Sequence, residues 1–188
     1  MELEINTDRF FQRLERLQND WLAQKSGIWS GADAICIPLG SAGEELAYSK
    51  SAALHLFLIG YEDFTDSIIL ISKNTFYFMA SSKKCAYLQK LFAGKSGSFA
   101  MHFLEKTKDE GMTRENFNLL MNVVRKNGGK KLGCLYKEKY NGAFIPNWMD
   151  FVDQSQIEKV EISPALGLFL SVKDETEQVK DLYLYSID

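Results

Sequence analysis

The residues of this 188-residue chain that could do chemistry are three cysteines, two histidines and a scatter of carboxylates. Cys36, Cys85 and Cys134 are evenly spaced, but Ile35-Cys36-Ile37, Lys84-Cys85-Ala86 and Gly133-Cys134-Leu135 share no pattern. A zinc site gathers its ligands in short pairs such as C-x-x-C, and the chain has no such pair. The three are expected as buried free thiols, the common fate of an unpaired cysteine. His55 falls in an apolar helical stretch and His102 in an apolar strand. His55 is followed by Phe57, Leu58 and Ile59, so no second ligand shares its helix face. Glu105, three residues beyond His102, would project from the opposite face of a strand. Both histidines read as structural.

Nucleophile and phosphate motifs fare no better. Gly94-Lys95-Ser96-Gly97-Ser98 departs from G-x-S-x-G. Gly40-Ser41-Ala42-Gly43 lacks the Gly-Lys-Ser/Thr that completes a phosphate-binding loop. Asp33, Asp63, Asp66 and Asp109 invite comparison with two-metal nucleases, which need carboxylates on adjacent strands around one pocket. Asp63 instead sits in a loop, Asp66 begins a strand, and the strand that follows is wholly apolar. The residues therefore predict no catalytic group, no metal and no cofactor.

Charge narrows the partners. A net charge of −3 lacks the basic excess of a DNA-binding domain. Lys83, Lys84, Lys90 and Lys95 read as the solvated face of one helix. No apolar run approaches the ~20 residues of a membrane span. Met1-Glu2-Leu3-Glu4 is acidic where a secretory signal is positive, so an intracellular chain is expected. With 46% hydrophobic and 13% aromatic residues, one domain with a substantial core is the natural reading.

The elements that must position these residues are organised around Ser49 to Ala80. Ser49 or Ser51 caps a short apolar helix that Gly60 closes. Ile68-Ile69-Leu70-Ile71 is an unbroken aliphatic run, which predicts a strand buried on both faces in the middle of a covered sheet. Lys73-Asn74 fits a two-residue hairpin, with Asn tolerating positive φ, and Thr75 to Ala80 returns. Before this lies a helix capped by Asn6 or Thr7, with Phe10, Leu14, Leu17 and Trp21 inward, ending at Ser26-Gly27. A strand over Ala34–Ile37 follows, expected to stop at Pro38. Afterwards come a helix with Cys85, Leu88, Leu91 and Phe92 inward, a strand from Phe99, and a helix from Thr113 burying Phe117, Leu120, Met121 and Val124. A strand from Lys131 and a short helix anchored by Trp148 and Phe151 follow. The pattern then gives a strand at Val160, a helix capped by Ser163 with Pro164 first, and a last acidic helix from Asp174 to Tyr185. Alternating strands and helices, with the hairpin, give a three-layer α/β domain with a mixed β-sheet and helices on both faces.

Several of these segments carry a resemblance. Ile59-Gly60-Tyr61-Glu62, Thr65-Asp66-Ser67-Ile68 and Phe78-Met79-Ala80-Ser81, in this order, resemble the N-terminal domain of the large subunit of the FACT histone chaperone. Lys131-Leu132-Gly133 leading to Tyr136-Lys137-Glu138-Lys139-Tyr140, and Ile162-Ser163 leading to Ser171-Val172-Lys173-Asp174, continue it over nearly the whole chain. The resemblance implies the N-terminal lobe fold of creatinase, prolidase and aminopeptidase P, with a ribonuclease-H-like strand arrangement. It implies residues 1–172 as that lobe and 173–188 as the start of a helix linking it to a second, pita-bread-like lobe. It also implies a non-catalytic histone and chromatin interaction module in the nucleus, on the chromosome, acting in transcription, DNA replication and repair. Its expected partners are core histones and their tails, notably the histone-three/histone-four pair, with the small HMG-box-associated subunit held by regions outside this chain. The alternative is the substrate or oligomerisation lobe of a proline-specific aminopeptidase or prolidase. No contact residue carries over from the family. The densest negative stretch, with Glu175, Glu177 and Asp181, is the candidate histone-binding segment on charge alone.

Overall fold

In the computed structural model, which describes residues 5–43, 49–61, 64–95, 97–126 and 128–172, strand β2 (Ser67–Ser72) is buried along its whole length. Its side chains alternate between two cores. Ile69 and Ile71 join the cluster on one face of the sheet, Ile68 and Leu70 the cluster on the other. A strand can bury every residue only with neighbours on both sides and layers above and below.

The neighbours are β1 (Ala34–Leu39) and β3 (Thr75–Ser81), both antiparallel to β2. Beyond them the sheet reads β4-β3-β2-β1-β5-β6, with β4 (Ala100–Lys106), β5 (Lys131–Cys134) and β6 (Glu158–Glu161) added parallel to their neighbours. The strands β3-β2-β1-β5-β6 have the implied ribonuclease-H-like order, and β4 extends the outer edge.

The first cluster is covered by α1 (Thr7–Ala23), α2 (Lys50–Ile59), α3 (Ser82–Phe92) and α6 (Ser163–Ser171). The second is covered by α4 (Glu110–Lys126) and α5 (Phe144–Gln154). The three-layer mixed sheet is therefore as expected. Gly60 closes α2 at φ 84, the left-handed conformation a Cβ disfavours. Asn6 caps α1, its side chain accepting from the Arg9 N–H at 2.9 Å.

Local details depart from the sequence reading. Pro38 lies inside β1 opposite Ile68 rather than ending it. Pairing to β5 stops at Ile35, so a residue without an N–H costs no ladder bond on that side. In the hairpin Lys73, not Asn74, takes the positive φ of 37°, and the Gln18 amide donates to the Lys73 carbonyl to hold the turn. Helix α1 ends at Ala23, before Ser26-Gly27, because Lys25 to Gly31 folds into successive tight turns that bury Trp29. Ser163 is the first residue of α6 rather than its cap, and the Glu161 carboxylate accepts from both its N–H and its hydroxyl. The expected last helix, with Glu175, Glu177 and Asp181, lies outside the described residues, as do Glu44, Glu45, Glu62, Asp63 and Ser96.

Ile69 is fully buried, whereas Lys83 is exposed on α3. Ile69→Ala should lower stability by about 2–5 kcal/mol through lost transfer energy and the cavity left behind. Lys83→Ala should change it by no more than about 0.5 kcal/mol. Urea melts of the two variants check this, and equal midpoint shifts would contradict the assigned burial.

Candidate functional site

The most reactive side chains are turned inward. Cys36, Cys85 and Cys134 are all free and buried. Burial raises the Cys36 thiol well above its ordinary value, Cys85 to about 11 and Cys134 to about 12. A thiol protonated at neutral pH is neither a nucleophile nor a ready metal ligand. His55 is buried against the sheet, its Nε2 3.1 Å from the Ile37 carbonyl. Burial outweighs that bond and, with the nearby Lys84 charge, lowers its pKa to about 4, so it is neutral in the folded lobe. His102 lies instead on the exposed edge strand, stacked on Tyr77 at 4.5 Å.

The described aspartates of that set, Asp33, Asp66 and Asp109, are not brought to one pocket. Asp33 precedes β1 and Asp66 precedes the antiparallel β2, which places them at opposite ends of that pair. Asp33 accepts from the Lys130 and Lys131 N–H groups and from Lys25 Nζ. Burial pushes its pKa up, but these bonds outweigh it and hold the carboxyl below its usual range. Asp109 accepts from the Gly111 and Met112 N–H groups and so caps α4. Asp63 is outside the described residues. Among the described residues no group of three or more His, Cys, Asp or Glu is arranged to hold a metal.

The glycine loop after β1 has a packing role. A Cβ on Gly40 would lie 3.0 Å from the Asn141 backbone, and the Ser41 N–H donates to the Asn141 carbonyl at 3.1 Å. Lys84 is also not on a wholly solvated face, since its ammonium donates to the Thr65 carbonyl at 2.6 Å.

What the sheet does build is a groove of about 560 Å³ between the start of α4 and the length of α5. Its end wall is Lys106 and Thr107, at the end of β4, with Asp66 beside them. Its floor is aromatic. Phe117 packs 5.9 Å from Phe144, 5.5 Å from Phe151 and 5.1 Å from Trp148. Two cations already lie over these rings: Lys106 Nζ at 4.6 Å from Phe144, and the Arg114 guanidinium at 5.4 Å from Phe151. Lys106 also pairs with Asp66 at 3.6 Å. Glu110 on α4 and Asp150 on α5 also line it. Sequence reasoning missed this groove, because Phe117 and Phe151 read only as packing residues. A second cleft lies at the starts of α2 and α6, and there Glu138 and Glu161 cap those helices.

The family profile described as "FACT complex subunit SPT16 N-terminal lobe domain" matches residues 5–165. The chain belongs to the FACT complex subunit SPT16 N-terminal lobe family. FACT complex subunit SPT16 of Mycosarcoma maydis is 29% identical over 182 residues, covering 94% of this chain and 17% of the relative. The chain thus spans about a sixth of the length of the curated SPT16 relatives it matches. The solved N-terminal domain of SPT16 from Eremothecium gossypii is 28% identical, with a TM-score of 0.79 over 94% of this chain and 40% of that one. The same domain from Cicer arietinum (chickpea) gives 0.83 at 21% identity, over 94% and 41%. An Xaa-Pro dipeptidase from Bacillus anthracis, at 14% identity and 0.54 over 88% and 38%, shares the fold alone with this SPT16-type lobe.

Neutral His55 gives the lobe a pH signature. Its folded pKa of about 4 lies below the ordinary 6.5, so the unfolded chain takes the proton first as pH falls. Its contribution is full above pH 6.5 and is lost as pH drops toward 4, about 2–3 kcal/mol between about pH 7 and about pH 4.5. Urea melts over that window should show a smaller loss in His55→Gln, whose amide can still donate to Ile37. Identical pH slopes would contradict the assignment.

Proposed function

We propose that the chain is a non-catalytic module for histone and chromatin contact within a FACT-type histone chaperone, serving nucleosome reorganisation in transcription, replication and repair. The observation that carries this reading is the family match over residues 5–165, joined to relatives that are themselves FACT complex subunits. The inward turn of the cysteines and His55 agrees with a lobe that does no chemistry of its own. The peptidase reading rests on a likeness of fold, and fold alone does not carry activity. In this reading residues 1–172 are the lobe, and 173–188 begin the helix that leads to a second lobe. The partners are core histones and their tails, with the histone-three/histone-four pair foremost. The small HMG-box-associated subunit is held by other regions of the longer protein, and the site of action is the nucleus.

Histones are strongly basic and this chain is only mildly acidic at −3, so charge assists the contact without supplying most of the affinity. Exposed charges are screened beyond roughly 8 Å at physiological ionic strength. A core-histone complex titrated onto the lobe should bind at about micromolar strength or weaker, losing several-fold between low and physiological salt. Reversing Glu175 and Glu177 to Lys should weaken it further with little change in melting temperature. No binding at low salt would overturn the reading, and unchanged affinity in the reversal would move the contact off that stretch.

A further inference from the structure

The groove between α4 and α5 has a charge balance of its own. Its lining carries three carboxylates, Asp66, Glu110 and Asp150, against two cations, Lys106 and Arg114. Asp66 and Lys106 answer each other across 3.6 Å. The Arg114 guanidinium is laid over the Phe151 ring. Glu110 and Asp150, both exposed, form no ion pair among the described residues. The charges left unanswered by a neighbour of opposite sign and not held on a ring are therefore negative, and they line the same groove as phenylalanine rings that already hold the protein's own cations.

We propose that this groove docks a basic peptide, one Lys or Arg side chain of which lies along the phenylalanine floor and reaches the carboxylates of Glu110 and Asp150. The proposal rests on the reading that the lobe's partner is a basic protein, and it gives that partner a place. The physical fit has three parts. The aliphatic stem of Lys or Arg packs on apolar rings while its head stays among polar groups. A cation within about 6 Å of a ring centroid is attracted to its face, as Lys106 and Arg114 show here. Asn147 and Gln154, exposed along the same face of α5 as Asp150 and Phe151, offer amides to a peptide backbone. An acidic peptide would meet the unpaired carboxylates of Glu110 and Asp150, and a second copy of this lobe would bring the same net negative charge.

The test is an amide chemical-shift titration of the lobe with three probes: a short unstructured peptide rich in Lys and Arg, the same peptide with those residues changed to Glu, and a core-histone complex. The basic peptide should shift amides of Glu110–Phe117 and Phe144–Gln154, and the acidic one should not. Glu110→Gln with Asp150→Asn, both exposed and so safe for folding, should weaken the basic peptide by at least about fivefold. Phe151→Ala should weaken it as well, with unfolding monitored separately. Shifts confined to another surface, equal binding by the double variant, or preferential binding of the acidic peptide would overturn the groove assignment. Groove shifts that grow with lobe concentration alone would overturn it in favour of self-association. If the groove assignment fails while the histone complex still binds, the broader functional reading survives. If the peptide binds the groove and the histone complex does not bind the lobe, the groove stands and that reading falls.

Discussion

The double burial of β2 is the constraint on which the rest of the lobe depends. Its six residues are all buried, and alternate side chains feed two separate cores. Neither core can form without the other, because removing the helices from one face would expose half of Ile68 to Ile71 to water. That requirement explains why α1, α2, α3 and α6 gather on one side and α4 with α5 on the other. It also explains why β2 sits inside the sheet and not at its edge. The groove is a by-product of the same arrangement: two helices cover the second face, and the aromatic seam between them opens to solvent.

Most of the well-placed carboxylates serve the backbone rather than a reaction. The Glu138 carboxylate accepts from the Lys50 and Ser51 N–H groups at 2.7 and 3.2 Å, capping α2 from a loop after β5. Glu161 does the same for α6 and also accepts from the Tyr136 N–H at 3.1 Å. Burial pushes the Glu161 carboxyl up, but these bonds hold its pKa below the usual range. Asp33 fastens the entry to β5. Orphan N–H groups at a helix start favour a negative partner, and these side chains supply it. Carboxylates held this way are poorly placed to act as general bases, which agrees with the non-catalytic role proposed above.

What the sequence made legible follows from how local each signal is. The helical stripe Phe117, Leu120, Met121 and Val124 and the apolar run of β2 repeat within a few residues, so they could be read directly. The Gly60 terminus is equally local. Pro38 misled because its tolerance depends on where β5 stops, a fact about residues almost a hundred positions away. Ser163 misled because its own hydroxyl is engaged by Glu161, which leaves the capping to that carboxylate. The groove was illegible for a related reason. Phe117 and Phe144 are buried core residues, and only the packing of α4 beside α5 brings them into one groove with Glu110 and Asp150. The charge-based candidates Glu175, Glu177 and Asp181 lie outside the described residues.

If β2 ties both cores into one cooperative unit, native-state hydrogen exchange of its amides tests the account most directly. Exchange at Ile69, Leu70 and Ile71 should require complete unfolding, with a protection free energy equal to the global stability from denaturant melts. Amides of β6 and of the outer edge strand β4 should exchange through smaller openings. Exchange of the β2 amides by local opening, at a free energy well below the global value, would contradict the claim that the two cores stand or fall together.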